Sequence, residues 1–267
     1  MKTRIISATI AIFIFISVLY TRQFTDIPLI LAVLCLSAIA TLEVLYNTTI
    51  NRYKPAVWVA VIYSALAPLS FTQYFNMQSY FLLSVVFVCI MFSFGVFAHN
   101  KLSVQQCVMS FALPTVLSFA FGSLLAVLSP TNKQGLLQIL LLCGFAWGTD
   151  TGAYFTGVFF GKHKIAPEIS PKKTAEGCIG GILFCAVYTF LVSFFMLHNL
   201  SYSIWITALS PLFAVAGMIG DLSASLLKRA YNIKDYGNIM PGHGGIMDRF
   251  DSILFISPCF LCVLEMF

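Results

Sequence analysis

Charge is what this chain has least of. Charged side chains make up 9% of its 267 residues, against a hydrophobic share of 59%. A soluble domain carries about a quarter charged residues, so this shortfall, with a mean hydropathy of +0.91, excludes an ordinary water-soluble globule. Acidic residues are scarcest in the first half, where only Asp26 and Glu43 precede residue 150. The Gly-x-x-x-x-Gly-Lys spacing of P-loop enzymes and the His-Glu-x-x-His pair of zinc peptidases are absent, and no Ser-His-Asp arrangement stands out. The 8 cysteines fall almost all in apolar runs and read as small buried hydrophobes, not as a disulfide framework. Cys259-x-x-Cys262 has metal spacing but no partner motif. The start, MKTRIISATIAIFIFISVLY, lacks a small-residue cleavage site and is expected to be a retained first helix, not a removed signal.

What is present instead is long apolar runs. About nine are long enough, or nearly so, to cross a ~30 Å hydrocarbon core, over 5–20, 27–46, 55–71, 79–98, 108–128, 136–160, 177–197, 201–220 and 252–267. Their length and continuity exclude barrel strands, which alternate. The expected fold is all-α, a polytopic integral membrane protein of about nine transmembrane helices. It divides into residues 1–134, five helices read as a lipid-facing scaffold, and 135–267, four helices with the chemistry. With the N-terminus inside, only Arg22 and Lys133 of the 15 basic residues fall on outer segments, and this steep asymmetry fixes the orientation. A net charge of +5 concentrated on one membrane face favours anionic lipid heads and nucleotides as partners, not nucleic acid.

The second half gathers the polar residues. Asp150 interrupts the sixth run in FAWGTDTGAYFTG, where a carboxylate costs ~2.5–3.5 kcal/mol on insertion scales and is expected to face protein, water or a cation. Gly148, Gly152 and Gly157 beside it suit close helix packing. Two long inner loops follow. The first, GKHKIAPEISPKKTAEG (161–177), carries four lysines. The second begins as a helix, GDLSASLLKRAYN, on which Asp221, Ser225 and Lys228 share one face. It breaks at Gly237 and Pro241, and a helix is expected to resume with Asp248, Asp251 and Ser252 on one face. Both loops lie on the inner side, where they are expected to meet.

Clustered carboxylates repel unless a cation holds them. Asp221, Asp248 and Asp251, with Asp150, offer hard oxygen ligands without a histidine or cysteine cage, a set that suits Mg²⁺. The lysines offer point charges for phosphate oxygens, and Arg229 or Arg249 a bidentate fork. The backbone N–H groups of Gly242, Gly244 and Gly245 are candidates for a phosphate nest. His243 either donates a hydrogen bond to phosphate or fixes the glycine turn. Metal carboxylates, cationic side chains and a glycine nest together indicate phosphoryl or nucleotidyl transfer. The position at a membrane face points to a lipid phosphate as one substrate.

The stretch SASLLKRAYNIKDYGNIMPGHGGIMDRFDS resembles the signature of phosphatidate cytidylyltransferases, also called CDP-diacylglycerol synthases. The motif positions are Ser225, Lys228, Arg229, Lys234, Asp235, Pro241, His243, Gly244, Gly245, Asp248, Arg249 and Asp251. A second block, DTGAYFTGVFFGKHKIAPEISPKKTAEGCIGG, is similar to the same family, so the likeness covers about residues 147–252. Gly217 departs from it, standing where several members carry Ser.

The resemblance implies transfer of a cytidylyl group from CTP to phosphatidate in phospholipid biosynthesis, in a bacterial inner membrane with the N-terminus and loops cytoplasmic. It also implies a homodimer. In this reading Asp221 and Asp248 hold Mg²⁺, with Asp251 and Asp150 completing a second cation site or the outer shell. Lys228, Arg249 and His243 join Asp221 and Asp248 as catalytic groups; Lys172, Lys173, Ser225, Arg229, Gly244 and Gly245 bind substrate. Two other functions fit parts of the pattern: CTP-dependent transfer to a different lipid phosphate, and an ion or proton transporter built on intramembrane Asp150 and Asp221. Transporters usually show repeated halves, and this chain has none.

Overall fold

A computed structural model describes residues 2–22, 24–47, 53–129 and 135–266, with the side chains of 2–5 and 8 excepted. Arg52 and Lys133 lie outside the described residues, as do the side chains of Lys2 and Arg4. The chain is helical, with one two-stranded hairpin.

Among the described residues, 7 helical segments are long and apolar enough to cross a membrane. They are Ile27–Asn47, Lys54–Phe71, Met77–Phe97, Val104–Val127, Gly135–Phe160, Ala175–Leu197 and Leu200–Ala230. The helices Lys2–Thr21 and Ile253–Glu265 stand where the first and ninth runs were expected. The all-α polytopic architecture is therefore as read from the hydropathy, with 7 such segments among the described residues.

The residues form two compact units, Met1–Thr131 with Tyr231–Phe250, and Asn132–Ala230 with Asp251–Phe267. The first unit contains α1 (Lys2–Thr21), α2 (Ile27–Asn47), α3 (Lys54–Leu66, continued by a 3₁₀ turn to Phe71), α4 (Met77–Phe97) and α5 (Val104–Val127). Local sequence sets the helix starts. Asn76 caps α4 by accepting from Ser79 N–H at 3.0 Å, and Ser103 and Gln106 form a reciprocal capping box on α5. Tyr63 and Phe87 stack at 4.0 Å in the interior. A fully buried polar seam joins α2 to α3, where Ser64 Oγ meets Ser37 at 2.9 Å and Thr41 at 2.6 Å.

The second unit contains α6 (Gly135–Cys143), a π turn at Gly144–Gly148, α7 (Thr149–Phe160), strands β1 (Lys164–Ala166) and β2 (Ser170–Thr174), α8 (Ala175–Leu197), α9 (Leu200–Ala230) and α11 (Ile253–Glu265). Phe145, Phe213 and Phe260, all fully buried, pack ring on ring at 4.5–5.4 Å as its core. Small residues allow α7 and α8 to touch: a Cβ at Gly181 would come within 2.8 Å of the Thr149 carbonyl, and one at Gly152 within 2.6 Å of Phe184 Cβ. The lysine-rich loop is thus ordered as a β-hairpin, closed at its base by Glu176. That carboxylate accepts the Lys162 and His163 N–H groups at 3.0 and 3.2 Å and meets His163 Nδ1 at 2.6 Å.

The segment after residue 220 differs from expectation at its far end. α9 carries the helix through Ala230 as expected, and positive φ at Asn232 ends it. The helix at Asp248 is only α10 (Met247–Phe250), and Asp251 and Ser252 form a turn before α11. The Asp251 carboxylate accepts from Ser252 N–H at 2.8 Å, and this local bond competes with helix continuation. Asp248 and Asp251 therefore do not lie in one continuous helix; each belongs to a different unit.

Candidate active site

In the second unit, three elements bring acid and base together. A π turn directly precedes Asp150, an irregularity that helices tend to carry at functional sites. Asp150 is exposed on α7 within electrostatic reach of Lys173 and Asp221. On β2, neighbouring side chains alternate in direction: Lys172 is exposed, whereas Lys173 turns inward and forms an ion pair with Asp221 of α9. The buried Lys173 ammonium has no hydrogen-bonding oxygen other than that partner among the described residues. An ammonium carries three donors, so this one is poised to take a further anionic oxygen.

Asp251 stands near the same pair. Partial burial and the negative charge of Asp221, with a smaller push from Asp150, raise its carboxyl to about 7, against the Ser252 N–H bond and the pull of Lys228. Burial is the larger cause, and the neighbouring carboxylates add to it. No three His, Cys, Asp or Glu side chains close into a ready-made metal cage among the described residues. A cation here would need ligands from substrate or water as well, the usual arrangement for Mg²⁺ with phosphates.

The remaining second-unit candidates are less enclosed. Ser225 and Lys228 are half-buried on α9, and Lys228 is within electrostatic reach of Asp251. Arg229 is exposed and its Nε donates to the Ile169 carbonyl at 3.4 Å, tying the end of α9 to the hairpin turn. The 161–177 loop and the end of α9 do meet, through this bond and through Lys173–Asp221. Gly217 is buried; a Cβ there would come within 2.9 Å of Ile256 Cδ1, so a larger residue presses on α11.

In the first unit, the signature loop is held by carboxylates. Asp248 Oδ2 accepts from Tyr236 N–H at 2.8 Å and Gly245 N–H at 3.0 Å. Glu43, at the end of α2 and 4% exposed, accepts from Ile246 N–H at 3.1 Å through Oε1 and Met247 N–H at 3.0 Å through Oε2. Asn47, one turn later, donates to the Tyr236 carbonyl at 2.6 Å. Gly242 and Gly244 have φ of 81° and 85°, which fixes glycine there. The nest expected for a phosphate is thus partly filled from within, because the Gly245 N–H points at the protein's own Asp248. Gly245 has another reason to lack a side chain: a Cβ there, or at Gly237, would collide with the Glu43 carboxylate.

His243 lies in the same loop. Ser7 Oγ of α1 donates to the Pro241 carbonyl at 3.1 Å and lies 2.8 Å from His243 Nδ1. Because the serine has one O–H, the ring Nδ1–H is left to donate to Oγ. This favours the turn-fixing role for His243. Arg249 is exposed. Neither Glu43 nor Ser7 has a role legible in the sequence, because both sit in apolar runs more than two hundred residues from the loop they hold. The scarcity of acid before residue 150 was the one available clue to Glu43.

These features define a class: a polytopic helical membrane protein whose ordered loops carry carboxylates, buried ammonium and glycine turns, the equipment of phosphate chemistry. The pattern of the Cytidylyltransferase family matches residues 2–267, and the chain belongs to that family. It is similar to the phosphatidate cytidylyltransferase of Staphylococcus haemolyticus, at 37% identity over 97% of this chain and 96% of the relative. It is 33% identical to that of Staphylococcus aureus strain COL over the same shares, 97% and 96%. With the Bacillus subtilis enzyme of that name it shares 45% identity over 51% of this chain and 50% of the relative. The resemblance read from the signature is thereby borne out, and the chain is a membrane nucleotidyltransferase.

Proposed function

We propose that this protein transfers the cytidylyl group of CTP to phosphatidate, giving CDP-diacylglycerol and pyrophosphate. The observation that carries the reading is the family match over residues 2–267. In the reaction a phosphate oxygen of phosphatidate bonds to the α-phosphorus of CTP, the bridging bond to the β-phosphate breaks, and pyrophosphate leaves with that electron pair. A phosphate monoester with a second pKa near ~6 is largely dianionic at neutral pH, so the nucleophile needs no strong base. The barrier is repulsion between two polyanions, which preorganised positive groups lower.

Lys173 is the best-supported phosphate ligand, its buried ammonium having Asp221 as ion-pair partner. Lys172, Lys228, Arg229 and Arg249 neutralise further phosphate oxygens, Ser225 and the Gly244 backbone bind substrate, and His243 steadies the loop. Asp150, Asp221 and Asp251 offer only hard oxygens, and a cation would offset both the burial and the neighbouring charge that raise Asp251 to about 7, so the set fits Mg²⁺. Mg²⁺ bound there supplies charge screening and alignment of the two phosphates. Asp248 joins as a ligand on the signature spacing alone, and a second cation completes the set. The helices Lys2–Thr21 and Ile253–Glu265 serve as first and ninth spans. The N-terminus and loops face the cytoplasm of a bacterial cell, and the chain assembles as a homodimer.

Purified protein in detergent, given radiolabelled CTP and phosphatidate, is expected to move label into the lipid phase with Mg²⁺ and not with chelator. Label entering another lipid phosphate in preference would change the substrate, and ion flux without CTP consumption would replace the reading with a transporter.

A further inference from the structure

Glu43 is a carboxylate buried in an apolar helix that the proposed chemistry does not use. Burying one costs heavily unless hydrogen bonds repay it. Both oxygens are spent on one place, the N–H groups of Ile246 and Met247 that open α10. The preceding N–H, of Gly245, is taken by Asp248. Three successive backbone donors are therefore held by two carboxylates, one from the loop and one from α2. The glycines at 237 and 245 leave the space that the Glu43 carboxylate occupies. Asn47 secures the other side of the loop through the Tyr236 carbonyl.

We propose that Glu43 is a positioning residue for cytidylyl transfer: it sets the signature loop, and through it Asp248 and Arg249, from the end of α2. The inference rests on the functional reading above. Its chemistry requires an anion. Each Glu43 oxygen faces an N–H, so either orientation of a glutamine amide would set its NH₂ group against a backbone donor. Glu43→Gln is thus nearly isosteric yet loses one of the two bonds.

Wild type and Glu43→Gln are compared in detergent for elution profile, CTP-dependent transfer to phosphatidate, and hydrogen exchange over residues 236–250. The expected result is a folded variant whose kcat falls by about tenfold or more, the range for partners that orient ligands, with the KM for CTP within about threefold. Exchange over 236–250 should quicken while α4 and α5 stay as in wild type. A folded variant with wild-type kcat, or with unchanged exchange over the loop, overturns the proposal. So does a variant that fails to elute as folded protein, because Glu43 is then a folding residue only. An inactive wild type refutes the functional reading instead, and the exchange comparison still decides whether Glu43 holds the loop.

Discussion

Aspartates do opposite work in the two units. Asp248, in the first, spends Oδ2 on two backbone N–H groups and so builds the loop that carries it. Asp150, Asp221 and Asp251, in the second, lie within electrostatic reach of one another, with Lys173 paired to Asp221 and Lys228 drawing on Asp251. The first arrangement is satisfied by the chain itself. In the second, burial and the negative charge of Asp221 push the Asp251 carboxyl up to about 7. Residue type alone does not separate a structural carboxylate from one awaiting a ligand; the backbone donors around it do.

The largest expected effect breaks that contrast. Asp221→Asn should lower cytidylyl transfer by ~10²–10³-fold or more, the scale for losing a key electrostatic group, in protein that still elutes as folded. Asp248 should divide by substitution. Asp248→Asn can turn its amide oxygen toward Tyr236 and Gly245 and keep the loop, so a loss as large as at Asp221 would make Asp248 a ligand as well as a brace. Activity retained in Asp248→Asn but lost in Asp248→Ala would make it a brace alone.

A smaller effect separates two adjacent lysines. Lys173→Ala should cost about tenfold or more in turnover, and Lys172→Ala, exposed on the other face of β2, about twofold, since exposed charges contribute little. Equal losses would deny that the inward lysine is special.

Metal binding should depend on pH through Asp251. Its proton competes with a cation, so Mn²⁺ binding without nucleotide should weaken as pH falls from 8 to 6 through the value of about 7. In Asp251→Asn that slope should flatten, and an unchanged slope would remove Asp251 from the ligand set. The smallest effect is expected at Gly217→Ser, where the added Cβ presses only on the flexible end of Ile256. It should destabilise by ~1 kcal/mol, as mild overpacking does, lower Tm by a few degrees, and leave turnover within about twofold.

Much of this was legible in the sequence. Continuous apolar runs gave the helices, because hydropathy follows burial in lipid directly. The lysines and aspartates around 161–177 and 221–251 marked the polar segments of the second half, and Lys173 with Asp221 did come together. The hairpin was hidden because its two strands are short and mostly polar, with no apolar alternation to announce them. The break after Phe250 was hidden because Asp and Ser fit a helix face and a turn equally well, and only the Ser252 N–H bond decides it. Glu43 was out of reach for a different reason: its partners are main-chain N–H groups, which any residue carries, so no side-chain pattern reports them.

The most direct test counts Mn²⁺ bound to purified protein, by paramagnetic resonance, in wild type and in Asp221→Asn at pH 8 without nucleotide. A cation held by the second-unit aspartates predicts saturable binding in wild type that weakens about tenfold or more in the variant. Equal binding by the two proteins would contradict it.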